Sequence, residues 1–348
     1  MPVNRISGFF SKVRRRQVSQ YRAYEVVEVA DKQYQGSVVE KNEADLPDGE
    51  LLIEVLYSSL NYKDALSASG NKGVTRHYPH VPGIDAVGTV QASEDAKFSE
   101  GQVVLITGYD LGMNTSGGFG QRIRVPASWV VSLPSGLDPA TSMRLGTAGL
   151  TAGLCVDALL KNGLEVGHGE VLVTGSTGGV GIIAVGILAN LGFRVVASTG
   201  KPEAGQLLKT LGASEIIDRN EFSESSSRPL LAERWAAAID VVGGDTLFNV
   251  IKGLKYGGSV AACGLVQSPV FQASVLPFIL RGVNLLGVDS VELPLVKKER
   301  IWSKLAGDWK VEALDQVCTE IGLDQLEASL ATILSGGAVG RYLLNLQR

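Results

Sequence analysis

The 348-residue chain has only three cysteines, Cys155, Cys263 and Cys318, far apart and with no Cys-x-x-Cys pair. An odd number so spaced excludes a disulfide framework and a thiolate zinc site, and suits buried thiols in a reducing, cytoplasmic setting. Histidine is equally scarce. His77 and His80 have the i, i+3 spacing of a helical metal pair, but Pro79 and Pro82 argue against a helix there and no cysteine lies near. No bound metal is therefore expected. There is no secretory apolar core and no apolar run long enough to cross a bilayer, so no membrane partner is expected. An excess of positive charge is also missing: the net charge of −4 offers no footprint for nucleic acid. The exception is the leader, residues 1–20, where Arg5, Lys12, Arg14, Arg15 and Arg16 stand without an acid. Such a segment reads in two ways, as an organelle-import peptide or as a disordered extension.

What is present points to two domains. The length suits them, and a hydrophobic share of 45% is enough for sizeable cores. The most informative stretch joins the β-prone run Val171-Leu172-Val173 to a glycine turn, Gly175-Ser176-Thr177-Gly178-Gly179-Val180-Gly181, and then to a long apolar segment, residues 182–189. Strand, glycines and helix in that order suit a dinucleotide pyrophosphate. Gly178 lets the backbone approach phosphate, Gly181 lets helix and strand pack closely, and the helix N-terminus attracts negative charge. Ser176 stands where the commonest fingerprint has its first glycine.

The next β-prone run ends in Ser198-Thr199-Gly200-Lys201, and no acid lies between Glu170 and Glu203. A carboxylate here would accept from the ribose 2′-OH of NAD, whereas hydroxyls and a cation suit a 2′-phosphate; the cofactor expected is NADPH. Arg219, Gly264 and Leu265, after later strands, complete the candidate cofactor set with Thr177, Gly179 and Val180.

The rhythm of the chain divides it. Up to about Arg144, short β-prone runs alternate with Pro, Gly and Asp turns, as in a small barrel. A helix is expected over 150–160, and from about residue 145 strands and helices alternate, as in a doubly wound parallel sheet whose ligands bind at the strands' carboxyl ends. Residues 302–334 read as largely helical, and residues 340–346 as a closing strand returning to the first domain.

Several motifs together are similar to those of the zinc-independent branch of the medium-chain dehydrogenase/reductase superfamily, in the group of acrylyl-CoA reductases and putative quinone oxidoreductases. The residues that carry the resemblance are Ser58-Ser59-Leu60-Asn61-Tyr62-Lys63-Asp64-Ala65-Leu66, Pro82-Gly83-Ile84-Asp85, Gly146-Thr147-Ala148-Gly149, the glycine turn, Ala261-Ala262-Cys263-Gly264-Leu265, residues 277–283 and Gly287-Val288-Asp289-Ser290. Zinc-dependent relatives have Gly-His-Glu where this chain has Gly83-Ile84-Asp85. The loop after Thr107 departs from many relatives, with Thr115-Ser116 before Gly117-Gly118 in place of an aromatic.

The resemblance implies an α/β fold: a GroES-like β-barrel catalytic domain over 21–144 and 290–348, and a Rossmann NADPH-binding domain over 145–289. It implies reduction of the C=C bond of acrylyl-CoA or a similar enoyl-CoA, with Asn61, Tyr62 and Asp64 at the cleft facing the nicotinamide and Arg341 reaching the cofactor or substrate. Asn61 or Tyr62 would stabilise the enolate, and Asp64 would position Lys63, Tyr62 or the nicotinamide ribose. A homodimer is expected. The alternatives are an NADPH:quinone oxidoreductase using the same cleft and, from another class, a non-catalytic NADPH-binding regulator.

Overall fold

The computed structural model describes residues 19–223 and 226–348, so all but the end of the basic leader lies outside the described residues. The chain opens with a hairpin of β1 (Gln20–Ala30) and β2 (Gln33–Asn42). It continues through β3 (Leu51–Ser59), α1 (Tyr62–Ala68), β4 (Asp85–Ser93), β5 (Val103–Thr107), β6 (Arg122–Val125) and β7 (Val130–Ser132). These strands make the barrel-like sheet expected from the turn-rich first part, with β3 paired to both β4 and β6, and β5 joining β4 to β7.

Helix α2 (Pro139–Lys161) is longer than expected and runs across residue 145. Asp138 caps it, accepting from Thr141 N at 2.8 Å, and Pro139 suits its first turn. At Gly146 the backbone leaves helical geometry (φ 52°, ψ −154°), so α2 is two helices joined at a kink. One sequence expectation is corrected here: by length and composition α2 is long and apolar enough to cross a membrane. Most of it is instead packed inside the protein.

The second half alternates as expected: β8 (Glu170–Val173), α3 (Gly179–Asn190), β9 (Arg194–Thr199), α4 (Gly205–Thr210), β10 (Glu215–Asp218), α5 (Asn220–Ser223), β11 (Trp235–Asp240), α6 (Gly244–Lys252), β12 (Leu254–Ala262), α7 (Leu276–Arg281) and β13 (Asn284–Gly287). All pairings in this six-stranded sheet are parallel, in the order β10-β9-β8-β11-β12-β13. Numbered from β8, that is 3-2-1-4-5-6, the dinucleotide-binding order, with its switch point between β8 and β11. Helix α3 is apolar around most of its surface because β8, β9 and α2 bury it.

Residues 302–334 are less helical than expected. Helix α8 (Leu295–Ala306) is followed by a short strand, β14 (Cys318–Ile321), before α9 (Leu326–Leu334). The closing strand β15 (Arg341–Asn345) returns to the barrel, antiparallel to β3 and parallel to β14. One continuous core joins the halves, running from Val87 and Leu105 in the barrel through Ile301 and Trp302 to Val171 and Val195 in the parallel sheet. Asp157 on α2 clamps α8 to this core through Arg300 (2.6 Å) and Lys304 (2.9 Å). Burial acts to raise its carboxyl, but Lys161, Lys304 and Arg300 outweigh that and hold it down at about 2.

Candidate active site

On the parallel-sheet side, the glycine turn leads from β8 into α3. Gly178 caps the helix with extended backbone and no side-chain acceptor, which leaves its first N–H groups available to an anion. A Cβ at Gly181 would stand 2.4 Å from Gly175 O, so only glycine fits this close approach. Ser176 donates to the Ser198 carbonyl at 2.7 Å; the residue that departs from the usual fingerprint thus ties β8 to β9.

The Thr177 and Thr199 hydroxyls lie 3.1 Å apart, and Thr199 Oγ1 accepts from Lys201 N. Ser198 is buried in β9. Lys201 Nζ donates to the Ala338 carbonyl, and Arg219 lies against Gly200, where a Cβ would meet its Nε at 2.5 Å. The two cations therefore stand together past the end of β9. Gly264 and Leu265 follow β12 and line, with Cys263, Gly287, Val288 and Asp289, an open cleft of about 410 Å³ at the carboxyl ends of β12 and β13.

The barrel side is built on Asn61-Tyr62-Lys63-Asp64, where β3 turns into α1. Asp64 is fully buried and both its oxygens are engaged: one accepts from Ile84 N (2.9 Å), the other from Asn61 N (2.7 Å) and Asn61 Nδ2 (3.2 Å). Its hydrogen-bond partners are thus Asn61 and the Pro82-Gly83-Ile84 turn; of the expected partners Lys63, Tyr62 and the nicotinamide ribose, neither protein side chain bonds to it. Burial first, and then the charge of Asp85, push its carboxyl up to about 7 against those hydrogen bonds. Tyr62, the first residue of α1, is exposed at the mouth of this cluster.

Sequence reasoning quoted Asp85 within a motif but gave it no role. The structure makes it the hub. Buried at the start of β4, it accepts from Asn61 Nδ2 (2.8 Å), Ser59 Oγ (2.5 Å), Thr147 N (2.9 Å) and Thr147 Oγ1 (2.5 Å). Thr147 lies just past the kink in α2, where a Cβ on Gly146 would be 2.6 Å from Asp85 Oδ2 and 3.0 Å from Arg341 Nη2. The Asn61 amide therefore bridges two carboxylates. Its amide N–H groups are taken up by these two carboxylates.

Arg341 completes the junction. Its Nε donates to the Arg144 carbonyl (3.0 Å) and Nη1 to the Leu60 carbonyl (2.9 Å), while Nη2 is buried without a partner among the described residues. A Cβ on Gly179, at the N-terminus of α3, would stand 2.9 Å from Nη1. The guanidinium thus lies with Nη1 toward the uncapped N-terminus of α3 and the unpaired Nη2 toward Gly146, and its positive charge beside that helix end suits an anionic group such as a pyrophosphate. The loop bearing Thr115 and Ser116 folds beside this cluster, with Thr115 Oγ1 donating to Asp110 (2.9 Å) and Gly118 N to the Gly83 carbonyl (2.8 Å).

Two family models match. Residues 47–135 match the alcohol dehydrogenase GroES-like domain, and residues 179–302 match zinc-binding dehydrogenase. The second description names zinc, which the donor set here does not fit: among the described residues no group of three or more His, Cys, Asp and Glu is placed to hold a metal. The chain is 46% identical to the acrylyl-CoA reductase AcuI of Ruegeria pomeroyi, over 89% of this chain and 94% of that protein. It superposes on Escherichia coli YhdH solved with bound NADPH, with a TM-score of 0.90 and 43% identity, covering 92% of this chain and 99% of that one. The putative quinone oxidoreductase YhfP of Bacillus subtilis is 44% identical over 87% of this chain and 92% of that protein. Its structure with NAD bound superposes with a TM-score of 0.91, covering 94% of this chain and 99% of that one. The chain belongs to the medium-chain dehydrogenase/reductase family, in the group of acrylyl-CoA reductases and putative quinone oxidoreductases.

Proposed function

We propose that the protein reduces the C=C bond of acrylyl-CoA, or a similar short enoyl-CoA, with NADPH. The observation that carries this is Arg341: one buried side chain from the closing strand meets the glycine turn at Gly179 on one side and the Asp85 hub at Gly146 on the other. It joins the cofactor cradle to the Asn61-Tyr62-Asp64 segment. NADPH, when bound, supplies a hydride to the β-carbon of the enoyl thioester.

The chain's own residues bind, orient and protonate. The N–H groups of Gly179, Val180 and Gly181, with the Arg341 charge beside them, would hold the pyrophosphate, while Gly178 N–H and Thr177 shape the turn. Thr199, Gly200, Lys201 and Arg219, with Ser198 buried in β9 behind them, would hold the 2′-phosphate, while Gly264 and Leu265 would wall the nicotinamide end. Asn61, held between Asp64 and Asp85, fixes the start of α1 and so the place of Tyr62. The Tyr62 hydroxyl, or a water beside it, gives the α-carbon its proton, and hydride plus proton complete the saturated thioester. A main-chain N–H or the Tyr62 hydroxyl stabilises the charge that builds on the thioester oxygen.

A cytoplasmic enzyme acting as a homodimer completes the proposal. Free cysteines support the first, and the open edge of β13, with exposed Leu285, Ile279 and Leu280 around it, supports the second.

The test follows C4-deuterated NADPH through turnover of a panel of enoyl-CoA esters and small quinones. Label on the β-carbon of propionyl-CoA is expected. Label on the α-carbon, or quinone turnover far above that of every enoyl-CoA, would overturn the proposal in favour of a quinone oxidoreductase or another chemistry.

A further inference from the structure

Helix α8 carries a lysine that the reaction as described does not use. Lys298 has no exposed surface, although an unpaired ammonium is among the costliest groups to bury. Its Nζ donates to the carbonyls of Thr107 (2.6 Å) and Val291 (2.9 Å) and lies 3.4 Å from the centre of the Tyr109 ring. Those two carbonyls belong to two different segments, the end of β5 and the stretch that follows β13. Thr107 ends β5 directly beside Asp85, its partner in the sheet register. Val291 lies two residues past Asp289, in the segment that leaves the cleft lined by Gly264, Leu265 and Val288.

The contacts around it tie the loop after β5 to the segment before α8 and to the turn that holds Asp64. Tyr109 N donates to Val291 O (3.2 Å), Tyr109 OH to Leu293 O (3.0 Å) and Gly108 N to Ile84 O (3.0 Å), next to the Ile84 amide that serves Asp64. Ser290 is held to α2 by Thr151 (2.8 Å). Tyr109 adopts a left-handed backbone (φ 54°), which is costly for an aromatic residue and is retained here because its ring and N–H are engaged in this junction.

We propose that Lys298 is a positioning residue of the reduction: its buried ammonium clasps the segment leaving the cofactor cleft to the strand beside Asp85, and so sets the spacing between hydride donor and substrate. This rests on the reductase reading above. Burial pushes the ammonium down to about 8, against the charges of Asp85 from β4 and of Asp289 and Glu292 from the segment before α8; the Tyr109 hydroxyl, raised by its own burial, stays neutral in that range. Above that pH the neutral amine is a poorer donor to two carbonyls and loses its attraction to the ring. The clasp weakens, and turnover falls on the alkaline side.

The experiment compares wild type, Lys298→Met and Lys298→Arg for kcat and KM with acrylyl-CoA across pH 6 to 10, with NADPH affinity, thermal midpoint and amide exchange of Gly108 and Tyr109. Wild-type kcat should fall above about pH 8. The methionine variant should lose about tenfold or more in kcat at pH 7, keep NADPH affinity within about threefold, and exchange the Gly108 and Tyr109 amides faster. The arginine variant keeps its charge and should show no alkaline fall. An alkaline fall in Lys298→Arg matching that of wild type, or unchanged kcat in a folded Lys298→Met, would overturn the clasp. Amide exchange separates the two ideas: unchanged exchange in the methionine variant sinks the clasp even where the reductase is active. Failure of wild type to turn over any enoyl-CoA sinks the reductase reading, and with it the positioning role.

Discussion

At the scale of single residues, the candidate site separates into side chains that sequence could name and side chains that only the fold could. Asn61, Asp64 and Arg341 stand in motifs with their neighbours and were legible as a set. Asp85 and Lys298 were not, because their partners come from distant segments: Ser59, Asn61 and Thr147 for the first, Thr107 and Val291 for the second. Linear spacing carries no trace of such a meeting. The cofactor end was read differently, from a missing acid, and in the structure Arg219 of that expected set lies across Gly200 as a second cation near Lys201. Lys201→Ala should weaken NADPH binding by roughly ten- to a hundredfold, since a charge-assisted hydrogen bond contributes about 1.5–3 kcal/mol, while NADH binding changes little. Fluorescence titration with both cofactors checks this, and equal weakening of the two would remove the 2′-phosphate assignment.

At the scale of elements, strong local chemistry made some units legible and its absence hid others. The glycine turn located α3 because the same residues that bind phosphate also terminate β8 and start the helix. Helix α2 was read short, over 150–160, whereas the chain is helical on both sides of the Gly146 kink. The strands β2, β6, β7 and β14 were missed for another reason. They are short or largely polar, and become strands only when β1, β3, β5 and β15 supply the pairing edge. The tight seam between β8 and α3 gives a sharp expectation for Gly181→Ala. The added methyl would sit 2.4 Å from Gly175 O and 2.7 Å from Ser176 Cα, both backbone atoms that cannot swing aside. Overpacking of this kind costs about 1–3 kcal/mol, and relief requires the turn to move away from the phosphates. A lower thermal midpoint and at least tenfold weaker NADPH binding are expected; a variant with native melting and native affinity would show that the seam can relax freely.

At the scale of the whole molecule, the order of the parallel sheet decides which surfaces are covered. Helices flank both of its faces and β15 carries the chain back to the barrel, but the two edges differ in kind. The β10 edge carries Glu215, which Arg234 reaches across the strand ends, a charged margin that discourages pairing with another sheet. The β13 edge carries no such guard. Asn284, Leu285 and Gly287 are exposed there, and Val275, Ile279 and Leu280 around α7 add apolar surface that no described residue covers. A second copy related by a two-fold axis places this strand antiparallel to itself, which satisfies the free backbone groups and covers the same apolar residues on both sides. The protein should therefore sediment as a dimer, and Leu285→Lys should shift it to monomer by putting like charges across the axis. Because Leu285 lies away from Asp85 and Arg341, the monomer should retain NADPH binding. A monomeric wild type at micromolar concentration, or a Leu285→Lys variant that sediments unchanged, would move the interface elsewhere.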